Sequence, residues 1–289
     1  MRVDSHIHFW RYDSQEYPWI SADMQGLKRD LLPEDVRPLL DAAGIDSCIA
    51  VQARVAERET DFLLDLAGQY PWVAGVIGWV DLSSDSLAQR LASWASNRKL
   101  MGFRHILQGD PNAGELVDSA AFRRGVALLQ SRQMIYELLI FADQLPAVTD
   151  FSRRSDQHWL VLDHLGKPNI RNRRLDSWRR DLAPIAALPH VVCKLSGLVT
   201  EANDASGKFD AAHLRDYLDV ALEMFGPQRL LFGSDWPVCL LVASYAEAAD
   251  IVERWSAQLS ASDREWIWGS TAARIYGLTP AEISSSGDA

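Results

Sequence analysis

A (β/α)8 barrel, the TIM-barrel architecture, is the fold that this 289-residue sequence predicts, and three observations carry the expectation. Eight short, apolar, β-branched runs alternate in strict order with longer amphipathic segments. Parallel strands need helical crossovers, and a sheet covered on both faces reads as continuous apolar runs. The length suits one α/β barrel of about 250 residues, and no linker or internal repeat divides the chain. The competing topology is an open doubly wound sheet, but no G-x-G-x-x-G follows any strand and no P-loop pattern is present.

The strand-like runs are "VDSHIHF" (3–9), "DSCIAV" (46–51), "VAGVIGWV" (73–80), "MGFRHIL" (101–107), "MIYELLI" (134–140), "WLVLDHL" (159–165), "VVCKLS" (191–196) and "RLLFGSD" (229–235). Helix-period segments such as "LPEDVRPLLDAAG" and "DAAHLRDYLDVALEMFG" lie between them. Gly44 and Gly226 stand where a C-cap ends a helix, and Ser84 and Asp210 where an N-cap starts one. "SASDREWIWGSTAARIYG" (260–277) is expected to close the barrel. One domain over residues 1–278 is expected, with 279–289 as a disordered tail.

A net charge of -10 and a pI near 5.2 give no basic footprint for nucleic acid or an anionic membrane. Of the three cysteines, Cys48 and Cys193 fall in strand-like runs and Cys239 does not, so no disulfide framework is expected. The N-terminus runs straight into a strand without an apolar leader, and no run approaches the roughly 18 apolar residues of a membrane span. A soluble, cytoplasmic protein is the reading, and a homo-oligomer is compatible with it.

Barrel chemistry sits at the C-terminal strand ends, and those ends are polar here. In the first strand Asp4, His6 and His8 alternate, so all three are expected on one face, with Val3, Ser5 and Ile7 on the other. Either they satisfy one another in the core or they line a site. Arg104 and His105 have opposite phases, so only one faces inward. Arg104 is the candidate to hold a substrate oxygen, with a core salt bridge as the other reading. The fifth run carries Glu137, the sixth ends in "LDHLGKP" with Asp163, His164 and Lys167, and the eighth ends in Asp235. Lys194 either meets substrate or pairs with Asp163 or Glu137. Trp10 and Trp236 either line a sugar pocket or pack in the core. The basic run "RNRRLDSWRR" (171–180) either leans over the active-site mouth or is, as such runs usually are, a solvated loop and helix start.

"DSHIHFW", "LDHLGKP", "KLSGLVTEA" and "FGSDWPVC", in that order, resemble the amidohydrolase superfamily, and within it the lactonase branch of amidohydrolase-2 type, the L-fuconolactonase-like group especially. The resemblance spans residues 3 to about 278. It implies that Asp235 activates a hydrolytic water while His6, His8 and His164 gather around the water and a lactone carbonyl. Better-known members place a carbamylated lysine on strand four and a histidine on strand five. Arg104, His105 and Glu137 stand there instead, so a binuclear centre is not expected. One divalent metal, zinc above all, stays open, with His6, His8, Glu137 and Asp235 as its ligands; no organic cofactor is implied. The expected partner is a small-molecule sugar lactone, because a dicarboxylate would want several converging arginines and only Arg104 is placed. A 2-pyrone-4,6-dicarboxylate lactonase, a metal-dependent decarboxylase and a non-catalytic sugar-acid binding protein are the alternatives.

Overall fold

The structure is a computed structural model that describes residues 1–202 and 211–279. Eight parallel strands follow one another in sequence order. They are β1 (Val3–Ile7), β2 (Ser47–Val51), β3 (Val73–Gly78), β4 (Leu100–Ile106), β5 (Ile135–Leu139), β6 (Leu160–Leu162), β7 (Val191–Leu195) and β8 (Leu230–Phe232). β8 returns to β1 without a regular ladder. Two backbone bonds close the ring at its C-terminal end: His8 N–H donates to the Trp236 carbonyl over 2.7 Å, and Asp235 N–H to the His6 carbonyl over 3.0 Å.

Val3, Ile49, Val51, Ile77, Ile135, Val161, Val192 and Leu231 fill the lower interior as one cluster. Cys48, Tyr136 and Cys193, one residue out of phase, belong to the larger layer between strands and helices, as the two-residue strand period requires. Each fully buried Val, Ile or Leu contributes about 1.5–3 kcal/mol. That apolar floor carries the fold, because buried ion pairs such as those above it roughly break even. The expected closing helix over 260–277 is three pieces, Ala261–Glu265, a π-turn at Trp266–Ser270, and Thr271–Tyr276. Ile275 and Tyr276 plug the N-terminal end of the barrel beside Leu100 and Ile135.

β1 carries one residue more than its neighbour can match. Asp4 pairs with Cys48 and Ile7 with Ala50, three steps against two. Such a bulge reverses the phase of every residue beyond it. Val3 therefore faces the interior, Asp4 turns outward to the Tyr245 hydroxyl at 3.0 Å, and His6 and His8 turn inward. The expectation that Asp4 shares their face is corrected accordingly.

Gly44 and Gly226 follow the helices Pro33–Ala42 and Ala211–Phe225 with φ of 65° and 67°. Ser84 is not a helix cap: the helix begins at Leu87, and Ser84 Oγ accepts the Ser86 N–H at 3.1 Å. Asp210 and the tail from 280 onward lie outside the described residues. All three cysteines are free and buried. Among the described residues no helix is long and apolar enough to cross a membrane.

Candidate active site

The bonds that close the barrel also set the register of its polar cluster. Asp235, in the left-handed region at φ 61°, places Oδ1 3.4 Å from His8 Nε2 and 3.8 Å from His6 Nε2. All three residues are buried. β8 passes close to His6 because residue 233 is glycine; a Cβ there would lie 2.8 Å from His6 Cβ. Asp4 staples the same seam from outside, its Oδ1 accepting the N–H groups of His6 and Ser234 at 3.1 and 3.0 Å. Burial pushes its carboxyl up to about 6.

His8 Nδ1–H donates to the Val51 carbonyl at 2.8 Å, so its Nε2 presents a lone pair. His6 Nε2 faces that lone pair at 3.2 Å, and Lys194 Nζ approaches His6 Nδ1 at 3.1 Å. With Lys194 donating to Nδ1, His6 carries its proton on Nε2 and turns it to His8, and the guanidinium of Arg104 stands 3.3 Å from the same nitrogen. A divalent ion held by His6 Nε2, His8 Nε2 and Asp235 Oδ1 would replace the shared proton and drive His6 to its other tautomer. The Nδ1–H of that tautomer would face Asp163 Oδ1, 3.5 Å away. That buried oxygen pairs with Lys194 at 3.3 Å but accepts no aligned hydrogen bond. The donor set thus fits one divalent ion, and a carboxylate behind a ligating imidazole is the usual support for zinc. Atoms of His6, Asp163 and His164 also converge, but Arg104 and Lys194 already neutralise Asp163, which makes that place unsuitable for a cation.

Beneath the site lies a buried charge network. Arg104 donates to Asp163 Oδ2 at 2.9 Å and to the Gln52 carbonyl at 2.5 Å. Lys194 donates to Glu137 Oε2 at 2.6 Å, and the Tyr276 hydroxyl to Glu137 Oε1 at 2.7 Å. Burial pushes Asp163 up, but Lys194, His6 and Arg104 outweigh it and hold the carboxyl well below its ordinary value. Burial, then Lys194, keeps His6 neutral. Burial raises Glu137 to about 7.

His164 enters from a loop in which His164, Leu165, Gly166 and Lys167 all have positive φ, between 49° and 66°. Strain of this kind persists where surrounding contacts over-determine it. Ser196 Oγ meets His164 Nδ1 at 2.8 Å, and Gly197 leaves room for the ring. Burial keeps His164 neutral. Burial pushes Asp235 up, yet His164, His8 and Lys167 together hold it below the ordinary carboxylate value, so it is ionised at neutral pH.

The structure places six further candidate side chains outside the convergent ligand atoms. Glu137 stands outside the convergent ligand atoms, with both oxygens taken by Lys194 and Tyr276, so it is not placed to bind a metal or substrate. Lys194 is fully buried under His6, where it pairs with both Glu137 and Asp163 instead of facing a pocket. Arg104 faces inward as expected, but as the core salt bridge to Asp163. Trp10 is fully buried, donating to the Leu27 and Arg29 carbonyls, and Trp236 packs on Phe9; both are core. His105 points outward against Phe122, which leaves the inward position to Arg104. Ser196, Gln52 and Tyr276 were not expected at the site. The motif "KLSGLVTEA" contained the first, while nothing near Tyr276 in sequence marks it.

The Amidohydrolase family model matches residues 3–278. The chain belongs to this family. It is 52% identical over 96% of both chains to L-fucono-1,5-lactonase of Burkholderia multivorans. An L-fucono-1,5-lactonase of Burkholderia ambifaria is 32% identical over 96% of this chain and 92% of its own. A crystal structure of an amidohydrolase from Burkholderia multivorans with bound zinc superposes with a TM-score of 0.93 at 53% identity, covering 96% of this chain and all of that one.

Proposed function

We propose that this amidohydrolase opens a sugar lactone of the L-fucono-1,5-lactone type to the hydroxy acid, with Asp235 as general base. The observation that carries the reading is the ionised, buried Asp235 carboxylate converging with His6 and His8 at the strand ends. The 52% identity to a named L-fucono-1,5-lactonase supports the substrate class.

Asp235 accepts a proton as the water oxygen bonds to the lactone carbonyl carbon, and returns it to the ring oxygen when the C–O bond breaks. His164 is a neutral imidazole bonded through Nδ1 to Ser196 Oγ; in the tautomer in which Nδ1 accepts, its Nε2–H is a donor for the tetrahedral oxyanion. Zinc, where held by His6, His8 and Asp235, would supply a Lewis acid and lower the pKa of water. Arg104 and Lys194 hold Asp163, and through it the orientation of His6.

The test is acid release, followed with a pH indicator, from L-fucono-, L-rhamnono-, D-arabinono- and D-galactono-lactones and 2-pyrone-4,6-dicarboxylate, comparing wild type with Asp235→Asn. Sugar-lactone turnover that vanishes in the variant supports the reading. Turnover that survives refutes the base assignment, and hydrolysis of the pyrone alone refutes the substrate class.

A further inference from the structure

The loops after β6 and β7, which hold His164, also line a cavity of about 450 Å³. One wall is the left-handed loop after β6. It ends in Lys167, whose N–H donates to the His164 carbonyl at 2.7 Å. The opposite wall follows β7, where Thr200 Oγ1 and Glu201 N–H both donate to the Gly197 carbonyl, one residue beyond Ser196. Lys167 Nζ and Glu201 Oε1 face one another at 3.2 Å, each side chain less than one-fifth exposed. The Phe141 ring, 37% exposed, lies 5.6 Å from the same ammonium. Lys167 stands three residues after His164 and is hydrogen-bonded to its carbonyl, so this wall of the cavity is continuous with the loop that carries the imidazole.

The chemistry of these walls is specific. A carboxylate and an ammonium a few ångströms apart offer an acceptor and a donor to adjacent hydroxyls. An exposed aromatic face suits the C–H side of a saturated ring or a methyl substituent. Lys167 and Arg171 against Asp143 and Glu201 leave the lining with no net charge, which disfavours a dianion and admits a neutral polyol.

The geometry points to this cavity as the hydroxyl-recognition subsite: Lys167 and Glu201 grip a vicinal diol of the lactone while Phe141 covers its apolar face. This assignment rests on the lactonase reading but is tested apart from it. The full-length chain is titrated calorimetrically with a polyhydroxylated δ-lactam, a non-hydrolysable isostere of the 1,5-lactone, and with unsubstituted 2-piperidone. The variants are Glu201→Gln, Lys167→Met and Phe141→Ala; Phe141 is exposed enough that its truncation leaves the fold intact, and melting curves check the other two.

Glu201→Gln and Lys167→Met are each expected to weaken the hydroxylated lactam by about 10-fold or more, the scale of one lost hydrogen bond to a charged group, and Phe141→Ala by about 3- to 10-fold through lost ring contact. None is expected to change the response to 2-piperidone. Wild-type affinity in folded variants, or a wild type that binds neither lactam, overturns the subsite. Acid release from the lactone is measured on the same wild-type preparation. Hydrolysis with unaffected variants rejects the subsite alone, whereas binding losses without hydrolysis reject the reaction and leave the subsite standing.

Discussion

A methyl group at position 197 would test whether His164 must stand where it does. An alanine Cβ there falls 2.8, 2.9 and 3.0 Å from His164 Nδ1, Cγ and Cβ. Carbon contacts are comfortable only near 3.5 Å, so the imidazole has to withdraw by roughly half an ångström. The move pulls Nδ1 off Ser196, now 2.8 Å away, and one such bond is worth about 0.5–1.5 kcal/mol. Residue 197 also sits at φ 65°, where a side chain adds about 1–2 kcal/mol of backbone cost. Together these predict a melting temperature lower by about 3–14 °C, at about 2–4 °C per kcal/mol. Activity should fall further, because about 1 Å of misplacement can cost on the order of 100-fold. The expected kcat/KM of Gly197→Ala on a sugar lactone is about 10- to 100-fold below wild type. Ser196→Ala, which removes the bond and leaves the space, should fall less. A Gly197→Ala enzyme within about twofold of wild type would refute the claim that the ring position matters.

Asp235→Asn should lower kcat by about 100- to 10,000-fold with the melting curve preserved, the scale of a lost general base. Asp163→Asn should weaken zinc retention against a competing chelator by about 10- to 100-fold, because the tautomer His6 needs for metal loses its acceptor; unchanged retention would remove Asp163 from that role. Glu137→Gln removes one of the two carboxylates that pair with Lys194 and leaves Asp163 as the other, so it should destabilise the fold by about 1–3 kcal/mol, visible in thermal unfolding. Asp4 gives a pH signature: its carboxyl titrates near 6 in the fold against an ordinary 3.8. A raised carboxylate binds its proton more tightly when folded, so its ionisation costs nothing below 3.8 and ~3 kcal/mol above 6. Asp4→Asn should gain that amount on wild type between about pH 4 and pH 7 in urea unfolding, and a flat difference would contradict it.

The barrel was legible because its signal is distributed: apolar runs recur at every strand, and one misread boundary leaves the pattern standing. β6 is shorter than its run "WLVLDHL" because the backbone turns left-handed at His164. The polar strand ends were legible for the same reason, since apolar runs seldom end in His, Asp or Arg by packing alone. Phase was harder. The alternation of Asp4, His6 and His8 assumes a regular strand, and the extra residue in β1 separates Asp4 from the other two. Glu137 illustrates a different limit. Its position on β5 is inward, as expected, but depth along the barrel axis decides whether it meets the site or the floor, and Tyr276 from the far end of the chain claims it. Trp10 and Trp236 stand beside motif residues in sequence, yet contacts distant in the chain decide both rings: the Leu27 and Arg29 carbonyls hold Trp10, and Phe9 packs on Trp236.

The first and last strands are joined by the amides of His8 and Asp235, so these two bonds are at once the latch of the ring and the frame of the reacting groups. Any breathing motion that parts the first strand from the last pulls both imidazoles away from the carboxylate in the same instant. A ring ajar at this joint therefore has no working centre. Amide exchange at His8 and Asp235 would then clock the lifetime of the competent molecule, and a ligand that bridges the two strands would slow that clock by acting as a clasp.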